Sequence, residues 1–85
     1  MDYNITFKKS VFKDLKRISK QDAKCILDKI DAKLTKSPDR LPTLTGQFYG
    51  LRKFRVGDYR VVFAIMDSDV LILRVQNRKD VYKKR

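Results

Sequence analysis

The sequence predicts an α+β fold in which an antiparallel β-sheet carries a helical hairpin packed on one face. Three observations indicate it: an alternating segment near the start, two amphipathic helical segments joined by a short break, and three strand-like segments separated by tight turns. The predicted order is β-α-α-β-β-β, in a single domain that covers residues 1–85.

The first half of the chain contains one predicted strand and two predicted helices. Tyr3, Ile5 and Phe7 alternate with polar residues, as in a half-buried strand. Ser10 is a suitable N-cap for the first helix, and the residue before Pro38 ends the second. Both helices carry apolar residues at helical spacing: Val11, Phe12, Leu15 and Ile18 in the first, and Ala23, Ile26, Leu27, Ile30 and Leu34 in the second.

Two turn signals fix the predicted register of the three later strands. Gly57-Asp58 is a two-residue turn, and Asp67-Ser68-Asp69 is interpreted as a three-residue turn. Counting back from these turns gives the opposed pairs of an antiparallel meander. The pairs are Val56 with Tyr59, Arg55 with Arg60, Lys53 with Val62, Met66 with Val70, Val62 with Arg74, and Arg60 with Gln76.

Alternation along this register divides the strands into two faces. The face predicted to pack on the helices is apolar and contains Phe54, Val56, Tyr59, Val61, Phe63, Leu71, Leu73 and Val75. The other face is basic and contains Lys53, Arg55, Arg60, Arg74, Gln76 and, if the strand continues, Arg78. Directly opposed like charges destabilise a sheet, so the opposition of Arg55 and Arg60 indicates a surface that binds an anion.

The composition excludes several kinds of chemistry. There are 21 Lys and Arg against 10 Asp, with no Glu and no His, which gives a net charge of +11. Without His, Ser-His-Asp and Cys-His catalytic arrangements are excluded, and one cysteine, Cys25, cannot build a Cys-rich metal site. We expect no metal and no small-molecule cofactor. The charge favours a polyanion, most often nucleic acid, as partner.

The location follows from the apolar segments. Met1–Phe7 is followed by Lys8 and Lys9 rather than by an apolar run, so we expect no signal peptide. Val61–Met66, the longest apolar run, is too short to span a bilayer. We therefore expect a cytoplasmic protein that does not interact with membranes.

The run from Gly50 to Phe63, GLRKFRVGDYRVVF, resembles the core of the RelE/ParE toxin superfamily, and so does the closing RKDVY at Arg78–Tyr82. The resemblance covers nearly the whole chain and implies a single RelE-like toxin domain. Members are the toxin halves of type II toxin–antitoxin pairs. RelE-type members cut mRNA in the ribosomal A site, whereas ParE-type members poison DNA gyrase.

The resemblance also implies roles for individual residues. Lys53, with cations beside it that favour its neutral form, is the implied general base, and Arg55 and Arg60 clamp the phosphate. Arg78 is the implied general acid, and Tyr82 stacks on an exposed base. The expected additional RNA-binding residues are Arg52, Arg74, Gln76, Lys83 and Lys84.

Three functions remain open on these residues. The first is a ribosome-dependent, metal-independent mRNA endonuclease in which the RNA 2′-hydroxyl attacks the neighbouring phosphate. The second is a ParE-type inhibitor of DNA gyrase, and the third is a toxin-fold protein that binds RNA or an antitoxin without catalysis. For the first, the expected partners are a cognate antitoxin protein, the ribosome and the A-site mRNA.

Overall fold

Two helices separate a short first strand from three longer strands. The computed structural model describes residues 2–43 and 50–77 of the chain. A single 3₁₀ turn, Pro38–Arg40, follows the second helix. The main elements are β1 (Asn4–Phe7), α1 (Lys9–Lys16), α2 (Lys20–Leu34), β2 (Arg52–Val56), β3 (Tyr59–Met66) and β4 (Asp69–Asn77).

The four strands form one sheet with the spatial order β1-β4-β3-β2. β3 lies antiparallel to both β2 and β4, whereas β1 pairs parallel with β4. The predicted α+β class and the element order are therefore confirmed, but the sheet is mixed rather than antiparallel. Alternation over four residues identifies a strand without revealing the direction of its neighbour, so the sequence did not reveal this parallel pair.

The core lies between α1, α2 and one face of the sheet. Helix α2 contributes Ile26, Ile30 and Leu34, spaced by one helical turn, and α1 contributes Val11. Phe12, expected on the same stripe, is 54% exposed. The sheet contributes Val56, Val61, Phe63, Val70, Ile72 and Val75.

A β-bulge in β4 corrects the predicted register. The turn between β3 and β4 has two residues, so Met66 pairs with Asp69 rather than with Val70. The pairing then shifts by one residue at Leu73, between the Phe63–Ile72 and Val62–Arg74 pairs. Beyond the bulge the register coincides with the predicted one.

The bulge also reverses the predicted orientation of two leucines. Val70 and Ile72 are fully buried in the core, whereas Leu71 and Leu73 are only partly buried. The assignment of Leu71 and Leu73 to the helix-facing side was therefore wrong. Regular alternation back from Val75 cannot detect an extra residue in the strand, because a bulge places two residues opposite one.

Helix α1 covers the edge of β4 where β1 ends. The backbone N–H of Lys8 donates to the carbonyl of Ile72 at 2.9 Å, and Ser10 Oγ donates to the carbonyl of Leu73 at 2.8 Å. Further along, the Val75 N–H donates to Asp14 Oδ2 at 3.0 Å. Ser10 is thus a strand-edge contact rather than the predicted N-cap, because the N-cap is Lys8 and the helix begins at Lys9, two residues earlier than predicted.

Among the helices in residues 2–43 and 50–77, none is both long enough and apolar enough to cross a membrane.

Candidate functional site

The basic side chains of the sheet form two parallel rows across β2, β3 and β4. One row contains Lys53, Val62 and Arg74, and the other contains Arg55, Arg60 and Gln76. The structure therefore brings together five of the predicted site residues in the predicted pairs. We call Lys53, Arg55, Arg60 and Gln76 the basic face; Arg74 is treated separately below.

Val62 is an apolar residue in the middle of the basic face. It lies between Lys53 and Arg74 and is 7% exposed. Lys53 and Arg60 are half-buried beside it, and Arg55 is exposed. The cationic heads are thus presented above a partly apolar surface, which strengthens their attraction to an anion compared with fully solvated charges.

Arg60 has an unsatisfied donor on this face. Its Nη2 donates to Gln76 Oε1 at 3.3 Å, while its Nε is buried and has no hydrogen-bond partner among the described residues. A buried N–H without an acceptor is costly. An anion that reaches this guanidinium could supply the missing acceptor.

Among the described residues, the acids that form ion pairs do so with cations outside the basic face. In the described ranges, ion pairs join Lys24 to Asp28, Lys36 to Asp2, and Arg74 to Asp14. No described carboxylate forms an ion pair with Lys53, Arg55 or Arg60. These three cations are therefore available to an external anion.

Arg74 is held differently from the other cations. Its Nε and Nη2 donate to the two carboxylate oxygens of Asp14, at 2.9 and 3.0 Å. This bidentate pair turns the guanidinium toward α1, at the edge of the sheet. Arg74 starts on the same face as Lys53 but does not present its charge there.

Asp14 is a functional candidate that the sequence analysis missed. It lies three residues after Val11 and four before Ile18, so it falls on the apolar side of α1. Burial alone would raise the pKa of the Asp14 carboxyl, but the hydrogen bonds from Arg74 and the Val75 amide, and the charges of Arg74 and Arg17, hold it below 3.8. An acid within an apolar stripe was the signal that could have revealed it.

Arg52 does not join the basic face. It pairs with Phe63, on the side of the sheet that faces the helices. Its Nη1 donates to the carbonyl oxygen of Leu41 at 2.6 Å and to that of Asp39 at 3.3 Å. This guanidinium therefore fastens the segment after α2 to the start of β2.

Four further candidates lie outside the described residues: Arg78, Tyr82, Lys83 and Lys84. Their roles stay predictions from the sequence.

Comparison with known proteins identifies similar chains. Residues 5–82 match the family model described as the ParE toxin of the type II toxin–antitoxin system parDE. Among functionally curated proteins, none matches the chain closely enough to count as a relative.

Solved structures share the fold. The chain is 26% identical to one in the RelBE2 toxin–antitoxin complex from Mycobacterium tuberculosis, with a TM-score of 0.86 over 92% of this chain and 100% of the other. It is 28% identical to one in the RelE–RelB complex from Pyrococcus horikoshii OT3, with a TM-score of 0.72 over 92% and 97%. A chain of the ParDE system from P. aeruginosa, at 13% identity and a TM-score of 0.70 over 88% and 95%, shows the fold alone.

Proposed function

The chain belongs to the ParE toxin family of type II toxin–antitoxin systems, and we propose that it exerts its toxicity as a ribosome-dependent mRNA endonuclease in the cytoplasm. One observation supports this best: Lys53, Arg55 and Arg60 converge on one face of the sheet without an acidic partner among the described residues. A cluster of this kind suits a phosphodiester that gains negative charge during cleavage.

The proposed cleavage uses the 2′-hydroxyl of the RNA as nucleophile. The Lys53 side chain, as general base, takes the proton from the 2′-oxygen, which forms a bond to the adjacent phosphorus. The bond from phosphorus to the 5′-oxygen then breaks, leaving a 2′,3′-cyclic phosphate and a 5′-hydroxyl. The leaving oxygen takes a proton from a general acid, the role predicted for Arg78.

Arg55 and Arg60 stabilise the charge that develops on the phosphorane oxygens. Their guanidinium groups project from directly opposed positions, so both can approach one phosphate. If the Arg60 guanidinium moves outward to a phosphate, its Nε, which is buried and has no hydrogen-bond partner among the described residues, also gains an acceptor. Positioning by the ribosome supplies the in-line geometry that a short sheet surface does not impose by itself.

A ParE-type inhibitor of DNA gyrase is the second candidate, favoured by the family model that matches the chain. Such an inhibitor acts by binding and needs no base, phosphate clamp and acid on one surface. A toxin-fold protein without catalysis is the remaining alternative.

The deciding experiment measures both targets. Primer extension on an mRNA translated in the presence of the protein should reveal cuts within ribosome-occupied codons, while purified gyrase keeps its supercoiling activity. Lys53→Ala, Arg60→Ala and Arg78→Ala should each abolish the cuts. Lys24→Ala is the matched control, because Lys24 is exposed on α2 and paired with Asp28. Intact mRNA together with inhibited gyrase would establish the second candidate instead.

We further propose how the cognate antitoxin engages the chain. A groove of about 450 Å³ between α2 and β2 is lined by Lys29, Ala32, Lys33, Phe54, Arg55, Val56 and Gly57. Its apolar members suit hydrophobic anchors, and its three cations suit acidic side chains. An acidic segment seated there would also reach the basic face, since Arg55 belongs to both.

A further inference from the structure

The Asp14–Arg74 pair has the geometry of a guanidinium bound to a phosphate. Two parallel N–H···O bonds of 2.9 and 3.0 Å join the planar fork of Arg74 to the two oxygens of one carboxylate. Arginine binds RNA phosphates with the same two donors. The Asp14 carboxylate thus occupies the position that a phosphate would take on this side chain.

The carboxylate is firmly anchored on the α1 side. The Asp14 side chain is 11% exposed, against 50% for Arg74, and its Oδ2 also accepts the backbone N–H of Val75 at 3.0 Å. The depressed pKa of Asp14 keeps it ionised at neutral pH. Rotation of the Asp14 side chain away from Arg74 would also break the hydrogen bond that Asp14 accepts from the Val75 N–H in β4.

We infer that Asp14 is a built-in counter-charge that withholds Arg74 from RNA, so that Lys53, Arg55 and Arg60 are the described sheet cations that contact the phosphates. This inference rests on the proposed function. It replaces the expectation that Arg74 binds RNA, because the register places Arg74 beside Val62 while its guanidinium is directed to α1. The Asp14–Arg74 pair thus lowers the affinity of the chain for RNA of any sequence. It leaves Lys53, Arg55 and Arg60 free for the proposed cleavage reaction.

The number of phosphates engaged can be read from the salt dependence of binding. For single strands, each phosphate contact contributes about −0.7 to the slope of log K against log salt concentration. If Asp14 were only structural, its substitution would change protein stability. Any change in the salt slope would then be the same whether or not Arg74 is present.

The experiment measures fluorescence anisotropy of a labelled, single-stranded 2′-O-methyl RNA, which lacks the attacking hydroxyl, over a range of salt. Arg74→Gln should leave affinity within about twofold of wild type and keep the slope, whereas the matched variant Arg55→Gln should weaken binding and lose about 0.7 of slope. Asp14→Asn should bind several-fold more tightly and gain about 0.7 of slope. The double variant Asp14→Asn/Arg74→Gln should return to wild-type binding.

Several outcomes would overturn the inference. One is an Arg74→Gln variant that loses as much affinity and slope as Arg55→Gln; another is tighter binding by Asp14→Asn that persists in the double variant. If Asp14→Asn fails to fold, the comparison of Arg74→Gln with Arg55→Gln still decides. Wild-type protein that does not bind the oligonucleotide contradicts the proposed function and the inference together, whereas normal wild-type binding with a weakened Arg74→Gln contradicts the inference alone.

Discussion

Arg55 and Arg60 lie directly opposite each other on β2 and β3, so two positively charged side chains leave the same face of the sheet as immediate neighbours. Cross-strand pairs of this kind change stability by roughly 0.2–1 kcal/mol, and like charges have the unfavourable sign. The free protein therefore carries a small energetic cost at the place where the proposed substrate binds.

Arg55→Gln should raise the free energy of unfolding by a few tenths of a kcal/mol while reducing mRNA cleavage, because it removes the repulsion together with a phosphate ligand. Urea unfolding and primer extension measure the two effects. Arg40→Gln is the matched control, since Arg40 is exposed on the 3₁₀ turn. A less stable Arg55→Gln protein would contradict the interpretation of the pair.

Arg60→Lys should lower cleavage by about tenfold or more although the charge is kept. A lysine retains the cation but not the planar fork, and it loses the Nε–H that has no hydrogen-bond partner among the described residues. Single-turnover cleavage on stalled ribosomes measures the effect. Near-normal cleavage by Arg60→Lys would show that Arg60 acts only as a point charge.

Phe63→Ala should destabilise the protein by about 3–5 kcal/mol, because Phe63 is fully buried and its removal leaves a cavity. Leu73→Ala should cost clearly less, since Leu73 is only partly buried at the bulge. Thermal and urea unfolding of the two variants compare them directly. Equal losses would mean that the bulge packs more tightly than its exposure indicates.

Stability should fall at acid pH through Asp14. Its pKa in the folded chain lies below the ordinary 3.8, so its contribution is fully present above pH 3.8 and is lost as pH falls through the folded-state pKa. Urea unfolding measured from neutral to acid pH should therefore show a shallower acid decline for Asp14→Asn than for wild type. If the free energies of unfolding of Asp14→Asn and wild type fall equally at acid pH, Asp14 does not contribute to the acid sensitivity of the fold.

Association with the cognate antitoxin should slow steeply as salt increases, whereas dissociation should change little. Opposite charges steer the encounter and are screened by salt, while apolar anchors in the α2–β2 groove hold the complex. Stopped-flow mixing over a range of ionic strength measures both rates. An association rate indifferent to salt would contradict the electrostatic part, and no binding would contradict the partner.

The β2–β3 pairs of the basic face could be predicted because a two-residue Gly57-Asp58 turn fixes them by counting. Gly57 has a φ of 58°, a conformation that glycine adopts readily. The Asp67-Ser68-Asp69 sequence permits either of two turn lengths, and the structure uses the shorter one, with Asp67 at a φ of 57°. The prediction used the longer turn and overlooked the bulge. Each error shifts the β3–β4 pairing by one residue, and the two shifts cancel from the Val62–Arg74 pair onward.

The contacts of Asp14 and Arg52 could not be predicted in this way. Both depend on where α1 and the segment after α2 lie against the sheet, and helical periodicity specifies a buried stripe without specifying its neighbour. Because Arg52 and Arg74 lie near other basic residues in the predicted sheet, the sequence analysis assigned both to RNA binding. The structure instead assigns Arg52 to backbone carbonyls and Arg74 to a carboxylate.

The bulge at Leu73 has a consequence for how related chains are aligned. Phe63 pairs with Ile72 and the next residue of β3, Val62, pairs with Arg74, so Leu73 is one extra residue in an otherwise regular β3–β4 pairing. Loss of that residue would leave both rows of the basic face paired as they are. An alignment of homologues should therefore place a one-residue gap within this strand rather than in the Asp67–Ser68 turn, where it would shift the pairs from Met66–Asp69 to Phe63–Ile72.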